Sequence, residues 1–147
     1  MAEAGPVVVR PVRLVRVCRA AALLLVVVFA VVALSLRRGG GADVFGVADQ
    51  VAMMTMGLLG AAGVLSLTRA RVEADLTGIR VRNVVGEKVL PWQVVRGVRL
   101  DEGASWATLD LQDDDTVALL AVQSNDKERA VRAVLALRQL LDEARAA

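Results

Sequence analysis

The sequence predicts a two-helix transmembrane hairpin followed by a small, mainly β barrel or sandwich closed by one C-terminal amphipathic α-helix. Three observations predict it. Residues 20–36 and 51–67 contain no charged side chain. From Arg71 onward, apolar and polar residues alternate with period two. After Asn125 the apolar period lengthens to about 3.6 residues, that of a helix. The hydrophobic fraction of 56% and the mean hydropathy of +0.53 describe neither part, because the apolar residues concentrate before Thr68.

Residues 1–19 are a basic segment with Arg10, Arg13, Arg16 and Arg19 against Glu3, expected on the cytoplasmic side. Residues 20–36, rich in Leu and Val, rise about 25 Å as a helix, close to a hydrocarbon core of about 30 Å. Leu14, Val15 and Val17 lengthen the apolar span, while Arg16 and Arg19 reach back to headgroups. Residues 37–50 form the connector, with Gly39, Gly40 and Gly41, and residues 51–67 the second helix. Helices this long and uniform are apolar on every face, unlike the core helix of a small soluble domain. A cleaved signal peptide also begins with a basic region, but its apolar core is about 7–15 residues, and here Arg37-Arg38 and a second run follow.

Arginines in the short flanks give the direction: four precede the first helix, and Arg69, Arg71, Arg80 and Arg82 follow the second. The positive-inside bias puts both termini in the cytoplasm and residues 37–50 outside, in a multi-pass protein of the plasma membrane. Asp49 and Gln50 read as a helix start at the outer end. Gly57 and Ala61 have small-xxx-small spacing, suited to packing on the first helix of the same hairpin or to a homo-oligomer. The single cysteine, Cys18, excludes an internal disulfide; it is a small apolar boundary residue or an acceptor for palmitoyl.

Residues 69–147 form the cytoplasmic domain. Val72, Ala74 and Leu76 alternate with Arg71, Glu73 and Asp75, Thr77-Gly78 marks a turn, and Ile79 and Val81 alternate with Arg80 and Arg82. A further turn at Gly86 precedes the strand Lys88–Leu90, which Pro91 ends or keeps at an edge. Strands around Val98–Leu100, Trp106–Leu111 and Thr116–Leu120 complete about six, with Asp113-Asp114-Asp115 as an acidic turn. Asn125 and Glu128 have capping-box spacing before a helix whose stripe is Val131, Val134, Leu135, Ala136, Leu137, Leu140 and Leu141. Arg132, Arg138, Asp142 and Glu143 lie outside the stripe.

Strands followed by one closing helix are ordered as in a pleckstrin-homology (PH) fold. Leu76-Thr77-Gly78-Ile79, Val89-Leu90-Pro91-Trp92, Trp106 with Leu109, and Gln123-Ser124 before the helix resemble the small PH domains of actinobacterial membrane proteins. They are similar to the low-molecular-weight antigen six group over about residues 70–145. Members of that group often carry two N-terminal membrane helices, so the resemblance implies the same fold and location, and it implies no catalytic residues. PH domains that grip an inositol phosphate use a basic loop between their first two strands. Here that loop is essentially Thr77-Gly78, too short to build such a pocket, so the chain departs from that pattern and inositol-lipid recognition is not expected.

The chain has no histidine and no tyrosine, which removes the commonest general base and metal ligand. We expect no enzymatic activity, cofactor or metal. Asp113–Asp115 lack the alternation and glycine of a calcium loop and read as a solvated turn. After Thr68 the charges nearly cancel, which argues against nucleic acid as a partner. Within the domain the charge is divided: residues 69–99 are mostly basic and residues 100–126 carry acidic groups alone. Arg69, Arg71, Arg80 and Arg82 are candidates for contact with lipid or a partner, against the alternative of a solvated strand face. The expected function is a membrane protein whose domain serves protein interaction or assembly; the alternative is an electrostatic sensor of anionic lipid at the inner leaflet.

Overall fold

The computed structural model describes residues 5–39 and 46–147. Its elements are β1 (Val7–Val9), α1 (Val12–Gly39), α2 (Val47–Ser66), β2 (Arg71–Ala74), β3 (Gly78–Arg82), β4 (Glu87–Pro91), β5 (Val95–Arg99), β6 (Trp106–Leu111), β7 (Thr116–Gln123) and α3 (Glu128–Ala146). Residues 40–45 of the expected connector lie outside the described residues. The chain forms two compact units: the N-terminal segment through Arg13 together with Arg69–Ala147, and Leu14–Thr68.

In the first unit, β1 to β4 form an antiparallel meander and β5 to β7 a second, three-stranded sheet. The six strands after Thr68 appear where the alternation predicts them. The seventh is β1, in a segment to which the sequence assigns only a basic flank. Val7, Val8 and Val9 oppose Ala74, Glu73 and Val72 across the ladder. Three β-branched residues favour extended backbone, yet they are too few to show a period, and Pro6 and Pro11 bound them. Val7 and Val9 pack against the core while Val8 faces out.

This pairing corrects the count of strand connections. The first connection is the segment from Arg10 to Ala70, which contains both α1 and α2; the turn at Thr77-Gly78 is the second. Thr77-Gly78 is therefore not the connection between the first two strands.

The core joins inward residues of both sheets to one face of α3: Val72, Ile79, Val81, Trp92, Val95, Val98, Leu109, Leu119, Leu137 and Leu140 are all buried. Trp92, in a 3₁₀ turn between β4 and β5, is 2% exposed, and its indole Nε1–H donates to the Asp75 carbonyl at 2.6 Å. Opposite it, a Cβ on Gly78 would lie 2.6 Å from the Leu90 carbonyl oxygen, so only glycine fits there. Thr77-Gly78-Ile79 and Pro91-Trp92, recognisable separately in sequence, are two halves of one clasp.

Two expectations for the last helix fail. Asn125 is not its cap: Ser124–Asp126 form a 3₁₀ turn, and Lys127 occupies the N-cap position at φ 46° with no side-chain cap bond. Val131 and Leu135, expected in the buried stripe, are half exposed, because Ala130, Ala133, Val134, Leu137, Leu140 and Leu141 already fill the inward face.

Helix α1 begins earlier than the uncharged run, at Val12 at the edge of the first unit, and its 28 residues rise about 42 Å. The segments Val12–Leu36 and Val47–Arg69 are long and apolar enough to cross a membrane. Asp49 Oδ2 accepts the Gly46 amide at 2.9 Å, fixing the start of α2. The helices touch through small residues: a Cβ on Gly57 would lie 2.7 Å from Phe29 Cβ, and one on Gly60 equally close to Leu25 Cδ2. Gly57 and Ala61 are buried, as is Cys18.

Trp92→Phe keeps an aromatic ring but removes the donor and part of the buried ring volume. We expect a loss of about 1–2 kcal/mol, against about 3–5 kcal/mol for Trp92→Ala. Urea unfolding followed by circular dichroism checks this; wild-type stability in the Phe variant would show that the bond to Asp75 contributes nothing.

Candidate interaction faces of the β domain

The outer face of the four-stranded sheet follows from its alternation. Ile79 and Val81 point inward, so Arg80 and Arg82 point out, beside Glu73 and Arg71 on β2 and Val89 and Glu87 on β4. Register sets Arg71 opposite Arg82 and Glu73 opposite Arg80. Like charges facing across strands are unfavourable unless neutralised. Arg71 pairs with Glu73 on its own strand, and Arg80 lies 3.3 Å from Glu87. Arg82 and Arg69 are exposed and enter no ion pair among the described residues. Of the four arginines singled out in sequence, the sheet gathers Arg71, Arg80 and Arg82 on one face, and two of these are already paired. Arg69 lies in the 3₁₀ turn that ends at β2. A shallow trough of about 550 Å³ crosses the far end of this face, between Val8, Arg80, Val89 and Pro91.

The β2–β3 turn is organised by Asp75. Its Oδ1 accepts the Thr77 hydroxyl at 2.5 Å and the amides of Thr77 and Gly78 at 2.8 and 3.2 Å. The Thr77 hydroxyl above all, then these amides and more weakly the Arg80 charge, hold the Asp75 carboxyl below its ordinary value of 3.8, against some desolvation.

A second, apolar groove of about 720 Å³ opens between the β5–β6 loop and the start of α3. Leu100 and Gly103 line one side and Val131 the other; Asp101, Glu102 and Glu128 supply negative charge, Lys127 and Arg132 positive. Leu135, one turn beyond Val131, continues the exposed apolar strip. The sequence hides this groove, because Val131 and Leu135 carry the same signal as the buried residues beside them.

Sequence reasoning also missed the closure of the β5 edge. Arg138 Nε donates to the Val98 carbonyl at 2.8 Å, and Arg145 Nη2 to the carbonyls of Val95 and Arg96 at 3.0 and 2.9 Å. These guanidinium groups occupy acceptors that an incoming strand needs. Seven residues apart, two helical turns, they lie on one side of α3; that spacing was the available signal. At the acidic turn, Asp114 bonds Arg96 at 2.5 Å and Asp113 accepts the Asp115 amide, and no group able to hold a metal ion is found among the described residues.

A four-stranded and a three-stranded antiparallel sheet, with a terminal helix packed on the core between them, define a PH-like domain. The comparisons agree: the bacterial PH domain family matches residues 69–140. An uncharacterized protein of Mycobacterium tuberculosis (strain H37Rv) is 41% identical over 122 residues, 83% of this chain and 79% of that protein. A Mycobacterium bovis protein matches to the same extent. Low molecular weight protein antigen 6 of M. tuberculosis is 39% identical over 57 residues, 39% of this chain and 50% of the antigen. No solved structure matches. The chain belongs to the bacterial PH domain family, among small actinobacterial members.

The Asp75 turn has a pH signature. A carboxyl held low in the folded state adds stability above its ordinary value, and that stability is lost as pH falls through the lower folded value. Asp75→Asn removes this contribution, so the variant is less stable at neutral pH and its melting temperature falls less between neutral and strongly acid pH. Acid limbs that superimpose would show that the turn does not depend on the charge.

Proposed function

We propose that this chain is a non-enzymatic integral membrane protein that crosses the bilayer with α1 and α2 and presents its PH-like domain at the cytoplasmic face as a docking module for a protein partner. The observation that carries the docking role is the groove beside α3. Its apolar floor at Leu100 and Val131 is rimmed by charges of both signs, which suits a protein surface better than a uniformly anionic one. The sheet's basic face is a weaker candidate, since Glu73 and Glu87 neutralise Arg71 and Arg80.

Membrane insertion is supported by the side chains that α1 and α2 expose. Leu23, Leu24, Leu59 and Met56 are all more than 60% exposed, apolar surface that hydrocarbon accommodates and water does not. The β1–β2 ladder supports two crossings, since it pairs the segment before the helices with the one after them. Arginine placement assigns that side to the cytoplasm. Gly57 and Ala61 are buried within the hairpin, which supports packing on α1 as the use of that spacing.

A second reading, electrostatic contact with anionic lipid, rests on Arg69 and Arg82. They are unpaired among the described residues, and each such cation near a headgroup layer contributes about 1 kcal/mol.

Chemical crosslinking in the native membrane distinguishes the two. Docking in the groove predicts a protein adduct that Val131→Asp with Leu135→Asp abolishes at unchanged melting temperature. An adduct that survives that double change removes the groove as the docking face. Flotation with anionic vesicles that falls on Arg69→Ala and Arg82→Ala favours the lipid reading, and its persistence removes that one. For the topology, a cysteine appended after Ala147 is expected to react with a membrane-impermeant thiol reagent only after permeabilisation. Labelling of intact cells would reverse the orientation.

A further inference from the structure

The junction between β1 and α1 is short and tightly held. Two residues separate Val9 from Val12, and one of them, Pro11, is among the most completely buried side chains of the molecule. One residue into α1, Arg13 reaches across to the turn that precedes α3. Its Nη1 donates to the Asn125 carbonyl at 2.8 Å, and its Nε lies 3.9 Å from Asp126 Oδ1. The Asp126 side chain is only 7% exposed, and that oxygen has no hydrogen bond of its own, so Arg13 is the charge that accompanies its burial.

The turn is also strained. Lys127 sits at φ 46°, ψ −115°, a conformation costly for any residue with a Cβ. It is held there between the Lys127 amide bond to the Ser124 carbonyl at 2.9 Å and the first helical bond, from the Val131 amide to the Lys127 carbonyl at 3.1 Å. Ser124, Lys127, Glu128 and Val131 are lining residues of the groove beside α3. One continuous path therefore runs from the first turn of α1, through Asn125 and Asp126, to a strained residue and then to the groove wall.

We propose that Arg13 is a positioning residue that couples the tilt of α1 to the conformation of the Ser124–Lys127 turn, and so to the shape of the groove. Arg13 holds the turn in its strained arrangement; a change in the tilt of α1 pulls the guanidinium from Asn125 and Asp126, Lys127 relaxes, and the first turn of α3 loosens. A conformational element biased from both ends is what such coupling requires. The proposal rests on the reading of α1 as a membrane span.

Hydrogen exchange of the full chain in vesicles of short-chain and long-chain lipid tests it, since tilting is one way a spanning helix accommodates a change in bilayer thickness. In the wild type, the amides from Asn125 to Val131 should differ several-fold in exchange rate between the two lipids, while those of β6 and β7 stay constant. Arg13→Ala should abolish the difference and give fast exchange in both lipids. Lys127→Gly, which removes the strain, should reduce the difference and leave exchange slow. A wild-type turn indifferent to thickness, or the same response in Arg13→Ala, overturns the coupling. Carbonate extraction run alongside identifies the separate failure: a chain released by carbonate does not span, which overturns both readings, whereas a retained chain without a thickness response overturns the coupling alone.

Discussion

The arrangement of this molecule depends on three residue pairs, Val7 with Ala74, Val8 with Glu73 and Val9 with Val72. They join a strand that precedes the two apolar helices to one that follows them. A two-stranded pairing this short has little stability alone. It holds because Val7 and Val9 add to a core that the other six strands and α3 already make, and because Pro11 buries the exit toward α1. Everything between Arg10 and Ala70 becomes a connection within one sheet. In chain order the helices are an insertion between two strands of one sheet.

The recognisable family residues have structural work. Thr77, Gly78 and Trp92 meet where the β2–β3 turn passes the β4–β5 corner: the carboxyl of Asp75 orders the turn, its carbonyl receives the indole, and Gly78 gives the Leu90 carbonyl room to pass. A motif of this kind identifies a fold without identifying a ligand. The surfaces free to bind lie elsewhere, on the outer sheet face and in the groove beside α3, and they are built from residues that look ordinary in sequence. Arg138 and Arg145 meanwhile cover carbonyls of the β5 edge, so docking there by strand addition is opposed while the groove nearby stays open.

Local patterns carried most of the element order. Alternation at Arg71–Ala74 and Gly78–Arg82 identified strands because a strand's two faces differ at successive residues. The outward placement of Arg80 and Arg82 was legible for the same reason. Val7–Val9 were not legible, since three valines in a row have no alternation and their partner lies more than sixty residues away. Val131 and Leu135 were misassigned to the core because helical periodicity gives a stripe without its width, and alanines at 130 and 133 took the inward places. Asn125 is not the cap because Ser124–Asp126 close as a 3₁₀ turn, from the Lys127 amide to the Ser124 carbonyl, and the N-cap position moves to Lys127.

Local pattern was enough for the class of protein: two uncharged apolar runs, about six alternating strands, a closing amphipathic helix and the family motif, each a property of residues near one another in the chain. The three-dimensional fold shows that the domain begins before the helices, which arginines among the described residues are left unpaired, and that Arg13 reaches the turn that forms the strained wall of the groove. Those features are juxtapositions of distant segments, set by which surfaces the core has room to bury, and no local period records them.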